Sequence, residues 1–422
     1  MPNPTPVRSW QQDILNRRML ICVFTGFASG LPLYVLIQLV PAWLRIEGVA
    51  LEYIGLFSLL GLPYAWKFLW SPLLDCYALG RGAWGRRRSW MLLTQCVLLV
   101  LIVSLGQCAP EHSLYAIAAL CLAVAFFSAT QDIALDAFRR ELLADHELGL
   151  GNAVHVNVYR LSSLVPGSLA LIVADEYAWS TAFMVTGAFM LLGIVTTCLI
   201  SEAAVAPKGK QSLQAAVIEP FRQLLQQHGA SHALTMLAFL FFYKLGDSMA
   251  TALATPFYVD MGFTLTDIGL VAKHAALWPS MLGAIVGGLW MLRLGINRAL
   301  WLFGAVQLIS ILGYAVLAES EPSRLLLAAV ISFEYLGVGL GTAAFTAWIA
   351  RSADLRYAAT QIALFTAVTA IPRTIANAST GYLVEWMGWT PFFLLCTGLA
   401  VPGMLLLVKV APWRVRDETP AQ

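Results

Sequence analysis

The sequence predicts an all-α membrane protein with twelve transmembrane helices in two pseudo-symmetric six-helix bundles. Of its 422 residues, 59% are hydrophobic and only 12% are charged, about half the charged share of an ordinary soluble domain. Apolar segments of about 20 residues, enough to cross a bilayer, recur along the chain. Helices are expected because an open strand cannot satisfy its backbone groups in lipid. This composition excludes a soluble enzyme, which would need a more polar exterior.

Twelve apolar segments separated by polar connections define the predicted spans. They are 18–44, 52–75, 89–108, 112–138, 150–174, 178–201, 232–258, 265–293, 297–318, 322–350, 356–385 and 388–411. Of the 26 Lys and Arg residues, nineteen fall in connections on one side and two, Arg45 and Arg324, on the other. Because basic connections stay in the cytoplasm, we expect both termini there, with the first span as an uncleaved anchor.

A weak internal repeat divides the chain. Ile54-Gly55-Leu56 recurs as Ile268-Gly269-Leu270, and other matches follow at nearly the same shift, about half the length. We therefore predict a six-helix bundle over 1–201, a cytoplasmic linker over 202–231 and a second bundle over 232–422. The linker is either an amphipathic helix in the membrane interface or a plain mobile connection.

Ionisable residues inside the predicted spans are the main functional signal. An ionised group in hydrocarbon costs several kcal/mol, so such groups must face a cavity or one another. The basic ones are Lys67, Arg160, Lys244, Lys273 and Arg373, and the acidic ones are Asp132, Asp247 and Glu334. We expect the three acids to be proton-coupling residues and Lys67, Lys244 and Lys273 to bind a carboxylated substrate. Lys244 and Asp247 are three residues apart, so a purely structural ion pair remains an equal alternative.

Asp132 and Asp136 lie one turn apart on one face of the fourth span. Two carboxylates in a groove of low dielectric do not both ionise cheaply, so one is expected to bind and release a proton. For Asp132 we favour this function. For Asp136 we favour pairing with Arg139 or Arg140 at the cytoplasmic end, with a gating role as the alternative.

The second connection carries a loop motif. Asp75 ends a span and is followed, after a spacer, by Gly85-Arg86-Arg87-Arg88. This resembles the loop signature of the major facilitator superfamily and implies a gating role for Asp75 and Arg86. Arg160 and Arg373, at equivalent places in the two repeats, are expected either to pair with gating carboxylates or to reach for lipid headgroups.

A narrower resemblance covers nearly the whole chain. The stretches Gly26-Phe27-Ala28-Ser29-Gly30-Leu31-Pro32, Lys67-Phe68-Leu69-Trp70-Ser71-Pro72-Leu73, Gln131-Asp132-Ile133, Tyr159-Arg160-Leu161, Tyr243-Lys244-Leu245-Gly246-Asp247 and Ala359-Thr360-Gln361 are similar to AmpG-type muropeptide permeases. The resemblance implies proton-driven import of N-acetylglucosaminyl-anhydro-N-acetylmuramyl peptides across the inner membrane of a Gram-negative bacterium. It further implies peptidoglycan recycling, often upstream of β-lactamase induction.

Such a sugar-peptide fits the candidate side chains. The Gln131 and Gln361 amides suit its polar groups, and Tyr64 and Trp66 offer rings on which sugars stack. We expect this substrate, protons and the bilayer as partners, no nucleic acid, no cofactor and a monomer. The seven cysteines lie singly, which predicts neither disulfides nor a metal site.

Three alternatives stay open. The chain could carry another bulky anion, such as a siderophore or a CoA thioester. It could be an intramembrane acyl or glycosyl transferase using His155 or His274, although no nucleophile, base and orienting group fall at a recognisable spacing. It could also be a sensor that binds without transporting.

Overall fold

The computed structural model describes residues 16–76, 79, 85–143, 147–202, 213–352, 370 and 373–413. Every regular element in these ranges is helical. Nine helical segments there are long and apolar enough to cross a membrane: Arg17–Ile46, Arg86–Leu105, Pro110–Leu142, Leu150–Glu176, Trp179–Leu199, Ala233–Asp260, Leu265–Ala318, Arg324–Ile349 and Trp389–Val410. The helical membrane fold is confirmed, whereas the total of twelve spans stays a prediction.

The chain forms two compact units whose limits differ from the predicted bundles. The first unit takes Met1–Leu36, Lys67–Ala109 and Tyr115–Lys210, and the second takes Ile37–Trp66, Pro110–Leu114 and Gln211–Gln422. The segment 37–66 therefore joins the second unit although it lies early in the sequence. After residue 210 the chain passes from the first unit to the second, and this boundary lies inside the predicted linker.

The described residues of the first unit contain eight α-helices. They are α1 (Arg17–Tyr34), α5 (Ser71–Cys76), α6 (Arg86–Leu105), α7 (Pro110–Leu142), α8 (Leu148–Ser162), α9 (Ala170–Glu176), α10 (Trp179–Ala188) and α11 (Met190–Leu199). Helices are numbered in chain order, so the numbers between α1 and α5 belong to the second unit, as do the first residues of α7, Pro110–Leu114. A short 3-10 turn lies at Lys67–Leu69. Asn16 caps α1, since its side-chain oxygen accepts a hydrogen bond from the Met19 N–H at 2.8 Å. Helix α1 packs along α8, and α6 packs against α10 and α11.

The second unit contains the remaining helices. They are α2 (Val40–Ile46), α3 (Leu51–Leu56), α4 (Leu62–Trp66), α12 (Leu213–Ala252), α13 (Ala254–Asp260), α14 (Leu265–Asp267), α15 (Lys273–Ala318), α16 (Arg324–Ser352), α17 (Thr380–Met387) and α18 (Trp389–Val410). Helix α15 runs through the predicted gap between spans eight and nine. The chain still turns there, because Gly295 adopts φ 76° and ψ 162° inside it.

The predicted continuous span 52–75 is broken into short pieces. Helix α3 is followed by a 3-10 turn at Phe57–Gly61, then α4, a second 3-10 turn and α5. Gly61 and Pro63 explain part of the break, since glycine is a poor helix former and proline lacks an N–H donor.

Aromatic packing fills the core of the second unit. Phe239 and Tyr243 of α12 contact Phe345 and Trp348 of α16, with Tyr243 stacked on Phe345 at an interplanar angle of 3°. Helices α12 and α18 cross closely, because a Cβ on Gly403 would lie only 2.6 Å from the Tyr243 backbone. A tightly packed α12 fixes the position of the charged residues that follow Tyr243 on the same helix.

Candidate functional site

Asp132 on α7 is the centre of a charged cluster in the first unit. Its Oδ1 accepts a hydrogen bond from the Ser29 hydroxyl of α1 at 2.5 Å. Its Oδ2 lies 3.9 Å from the Lys67 ammonium. The carboxyl side chain is 13% exposed, so one neutral donor and one cation largely replace water around it. This environment stabilises the Asp132 carboxylate at membrane depth. The same carboxyl group can bind a proton there.

Lys67 serves two carboxylates. Its Nζ lies 3.9 Å from Asp136 Oδ2 as well as from Asp132. Asp136 is 53% exposed and also accepts a hydrogen bond from Arg139 at 2.8 Å. The pairing of Asp136 with Arg139, which we favoured from the sequence, is thus present. Lys67 is a further cation beside the two aspartates, Asp132 and Asp136.

Gln131 supplies a hydrogen-bond donor that α1 lacks because of a proline. Pro32 has no N–H, so the carbonyl of Ala28 four residues earlier loses its helical donor. The Gln131 Nε2 donates to this carbonyl at 2.8 Å. Its Oε1 is buried with no donor among the residues that the structure describes. Gln131 therefore has a structural role and one acceptor left over.

His155 lies at the contact between α1 and α8. A Cβ on Gly26 would come within 2.6 Å of the His155 carbonyl oxygen, so the glycine permits the close approach of the two helices. The imidazole is buried. Its position favours a packing role over proton transfer.

Basic residues at the start of α6 meet acidic groups that the sequence did not single out. Arg87 and Arg86 bind Glu141, with N···O distances of 3.2 and 3.7 Å. The Glu202 carboxylate accepts the backbone N–H groups of Arg87 and Arg88 at 3.0 and 2.9 Å, which is a favourable place for an anion. The backbone of Asp75 belongs to α5, but its side chain lies outside the described part, as does Gln361.

Lys244 and Asp247 form an ion pair on α12. The Lys244 Nζ lies 2.8 Å from Asp247 Oδ2, and both side chains are less than one-tenth exposed. This is the arrangement that the structural alternative predicted. A substrate can also open such a pair, so a role in binding uses the same arrangement.

Glu334 on α16 is completely buried. Its Oε2 accepts a hydrogen bond from the Ser310 hydroxyl of α15 at 2.5 Å. The Lys273 Nζ donates a hydrogen bond to Gln38 Oε1 at 3.1 Å. Neither Ser310 nor Gln38 was predicted, because a serine or glutamine within a span has no sequence signal of its own.

The other predicted residues are dispersed. Arg160 lies near the Tyr34 phenol, and Arg373 lies within electrostatic range of Asp247. Tyr64 and Trp66 belong to α4, where Trp66 is 44% exposed. The six cysteines with described side chains are free. Among the described residues, no three His, Cys, Asp or Glu side chains are grouped as a metal site would need.

One further ionic contact links α2 to the rest of the second unit. Arg45 binds Asp260 of α13 through two hydrogen bonds, at 2.5 and 2.9 Å, and the Trp389 indole donates to the same carboxylate at 3.0 Å. Glu385 of α17 also accepts the Leu51 N–H of α3 at 3.2 Å. From the sequence, Arg45 was only one of two basic residues on the side opposite the cytoplasm.

Comparison with known proteins gives the class of this fold. The family model of the Major Facilitator Superfamily matches residues 22–377. A mutant form of the nucleoside transporter NupG is similar in structure, with a TM-score of 0.76 at 11% identity over 93% of this chain and 100% of that one. The chain is therefore a multi-pass membrane transporter of the major facilitator superfamily.

More similar sequences narrow the family. The anhydromuropeptide permease of Escherichia coli K12 is 38% identical over 393 residues, which cover 93% of this chain and 79% of that relative. A Haemophilus influenzae protein described as uncharacterized is 47% identical over 416 residues, covering 96% of this chain and 97% of the relative. Within the superfamily, the chain belongs to the AmpG-type muropeptide permeases, as its sequence motifs indicated.

Proposed function

We propose that the chain is a proton-coupled permease that imports anhydromuropeptides across the inner membrane of a Gram-negative bacterium for cell-wall recycling. The proposal includes alternating access, a monomer and both termini in the cytoplasm. The observation that carries the coupling is the placement of Asp132 between Ser29 and Lys67. The identity of the cargo is supported by the 38% identity to the E. coli anhydromuropeptide permease.

Lys67 offers a physical link between proton and substrate. While Asp132 is ionised, Lys67 is attracted to two carboxylates at equal distance. A proton on Asp132 removes one of these attractions, so the ammonium is freer to bind a carboxylate of the peptide part of the substrate. Loss of the proton draws Lys67 back and weakens that bond. Proton and substrate thereby favour each other's binding.

Polar and aromatic side chains supply the remaining substrate contacts in this proposal. The unused Gln131 Oε1 is an acceptor for a sugar hydroxyl or peptide N–H. We include Lys244, Lys273 and Gln361 as further polar contacts, with Tyr64 and Trp66 as stacking surfaces for sugar rings. Opening of the Lys244–Asp247 pair would be part of binding.

Gating is assigned to ionic contacts that can break as the chain changes conformation. On the cytoplasmic side these involve Asp75, Arg86 and Asp136, with Arg160 and Arg373 at equivalent places in the two repeats. On the opposite side we add the Arg45–Asp260–Trp389 contact, whose paired hydrogen bonds give it a defined closed geometry.

The test is uptake of a labelled anhydromuropeptide into proteoliposomes holding the full chain, with the outside more acidic than the lumen. We expect accumulation above the external concentration, abolished by a protonophore. A siderophore and a CoA thioester serve as competing cargoes under the same gradient. Accumulation of either competitor without the muropeptide would contradict the proposed cargo.

A further inference from the structure

The second unit contains two buried carboxyl groups that face each other. Besides its bond from Ser310, the Glu334 carboxyl lies within hydrogen-bonding reach of the Asp247 carboxyl. Asp247 Oδ2 is taken by Lys244 at 2.8 Å. The two oxygens left, Asp247 Oδ1 and Glu334 Oε1, are buried and have no donor among the described residues.

Two ionised carboxylates offer only lone pairs to each other. Acceptors that face each other in a buried site repel. A single proton changes this contact into an O–H···O hydrogen bond that satisfies both free oxygens. Either carboxyl can carry it, so the proton belongs to the pair.

Resting on the proposed function, we propose that Asp247 and Glu334 share one exchangeable proton and form a second proton-binding site, separate from Asp132. Lys244 is the cation beside Asp247, at 2.8 Å. The proton binds a carboxyl oxygen without breaking any covalent bond and leaves by the same route. With Asp132, the chain then has two places to carry protons.

The groups around the pair determine what the proton does to the local charge. The phenols of Tyr243, Tyr258 and Tyr314 and the thiol of Cys396 lie within electrostatic range, and these groups are ordinarily neutral near pH 7. Tyr335 follows Glu334 on α16. The remaining charged neighbour of Asp247 is Arg373, which forms no ion pair with it in the described structure.

The net charge of this cluster connects the proton to an anionic cargo. With Lys244 and Arg373 charged and both carboxyls ionised, the cluster is neutral. One shared proton gives it a net charge of +1, which attracts a carboxylated substrate. Loss of the proton returns it to neutral and favours release, so this site supports the same coupling as Asp132 from a different unit.

The pair can be tested without any substrate. Infrared titration of the purified full chain, in an Asp132→Asn background, records the C=O stretching band of protonated carboxyl groups. We expect a band that persists at neutral pH and disappears in Glu334→Gln. It should also disappear in Asp247→Asn, because the new amide can donate to the Glu334 carboxylate. Ser310→Ala should shift the band without removing it.

Controls and the contrary result are equally direct. Glu321 is an exposed carboxylate next to α16, so Glu321→Gln should leave the band unchanged. A neutral-pH band that is absent from the parent, or that survives either Glu334→Gln or Asp247→Asn, would overturn the shared proton. If one of these variants does not fold, the other and Ser310→Ala still decide the matter.

A transport arm separates this inference from the proposed function. In proteoliposomes, Glu334→Gln should still exchange labelled for unlabelled muropeptide, while its gradient-driven accumulation falls to simple equilibration. If the parent accumulates and Glu334→Gln accumulates equally, the second proton site fails and the permease stands. If the parent moves no muropeptide while the infrared band behaves as expected, the cargo fails and the shared proton stands.

Discussion

At the scale of single residues, each membrane-depth carboxylate described above has a polar partner on another helix or on its own. Asp132 has Ser29 and Lys67, Asp247 has Lys244, and Glu334 has Ser310. The neighbouring hydroxyls matter because a hydrogen bond to a charged group contributes about 1.5–3 kcal/mol. These partners stabilise the charges at membrane depth. The stabilisation is small enough that the addition of one proton can change which groups pair.

The first prediction concerns Lys67. Lys67→Ala leaves Asp132 with Ser29 alone, and we expect a loss of stability of roughly 1 kcal/mol, since the lysine is one-third exposed and 3.9 Å away. Adding Asp132→Asn should recover most of that loss, because the unpaired charge is gone. Melting of the purified protein in detergent measures both. Equal, additive losses from the two changes would argue against an interaction.

The spacing of charges predicted part of this picture. Asp132 with Asp136, and Lys244 with Asp247, are neighbours by helix geometry, so these pairs could be read from the sequence. Ser29, Ser310 and Gln38 could not, because their importance depends on which helices pack together. The hydrogen bond of Gln131 to Ala28 needed the same information, although Pro32 already indicated that a carbonyl would lack its donor.

At the scale of helices, glycine determines which elements approach closely. Helix α3 lies against α17 in the second unit, and a Cβ on Gly55 would fall 2.8 Å from the Gly381 nitrogen. The sequence identified Gly55 as a repeat position, but not its contact with Gly381. The same region carries the Leu51–Glu385 hydrogen bond, so the glycines allow a contact that polar groups then fix.

The second prediction follows from this contact. Gly55→Val should push α3 from α17 and destabilise the protein by about 1–3 kcal/mol, the usual cost of overpacking, with reduced uptake. Gly61→Ala is the control for adding a side chain to a glycine that has room for one, because a Cβ at Gly61 would meet nothing within 4 Å. Melting temperature and uptake are measured for both. A Gly55→Val protein as stable and active as Gly61→Ala would show that the close approach is unimportant.

The helix boundaries show which spans could be predicted from the sequence. The predicted span 89–108 corresponds to Arg86–Leu105, and 112–138 lies within Pro110–Leu142. The prediction was wrong about a continuous helix over 52–75, since apolar length does not report local breaks near Gly61 and Pro63. The predicted separation of spans 265–293 and 297–318 coincides with the turn at Gly295, where φ is positive.

At the scale of the whole molecule, composition and charge distribution carried the class of the protein. A chain with 12% charged residues and nearly all its basic connections on one side is expected to be a polytopic membrane protein. The family match over residues 22–377 confirms that class. The division into units was less predictable, because the segment 37–66 joins the second unit through tertiary contacts such as Arg45 with Asp260.

The central claim is that proton movement and cargo movement are one process that requires Asp132. The most direct measurement records lumenal pH and labelled muropeptide together in proteoliposomes with no imposed gradient. Adding muropeptide outside should acidify the lumen as it enters. Asp132→Asn should abolish the acidification, whereas Glu111→Gln, which removes a 69% exposed carboxylate from the same helix, should not. Muropeptide entry with no proton movement in the parent chain would contradict the account.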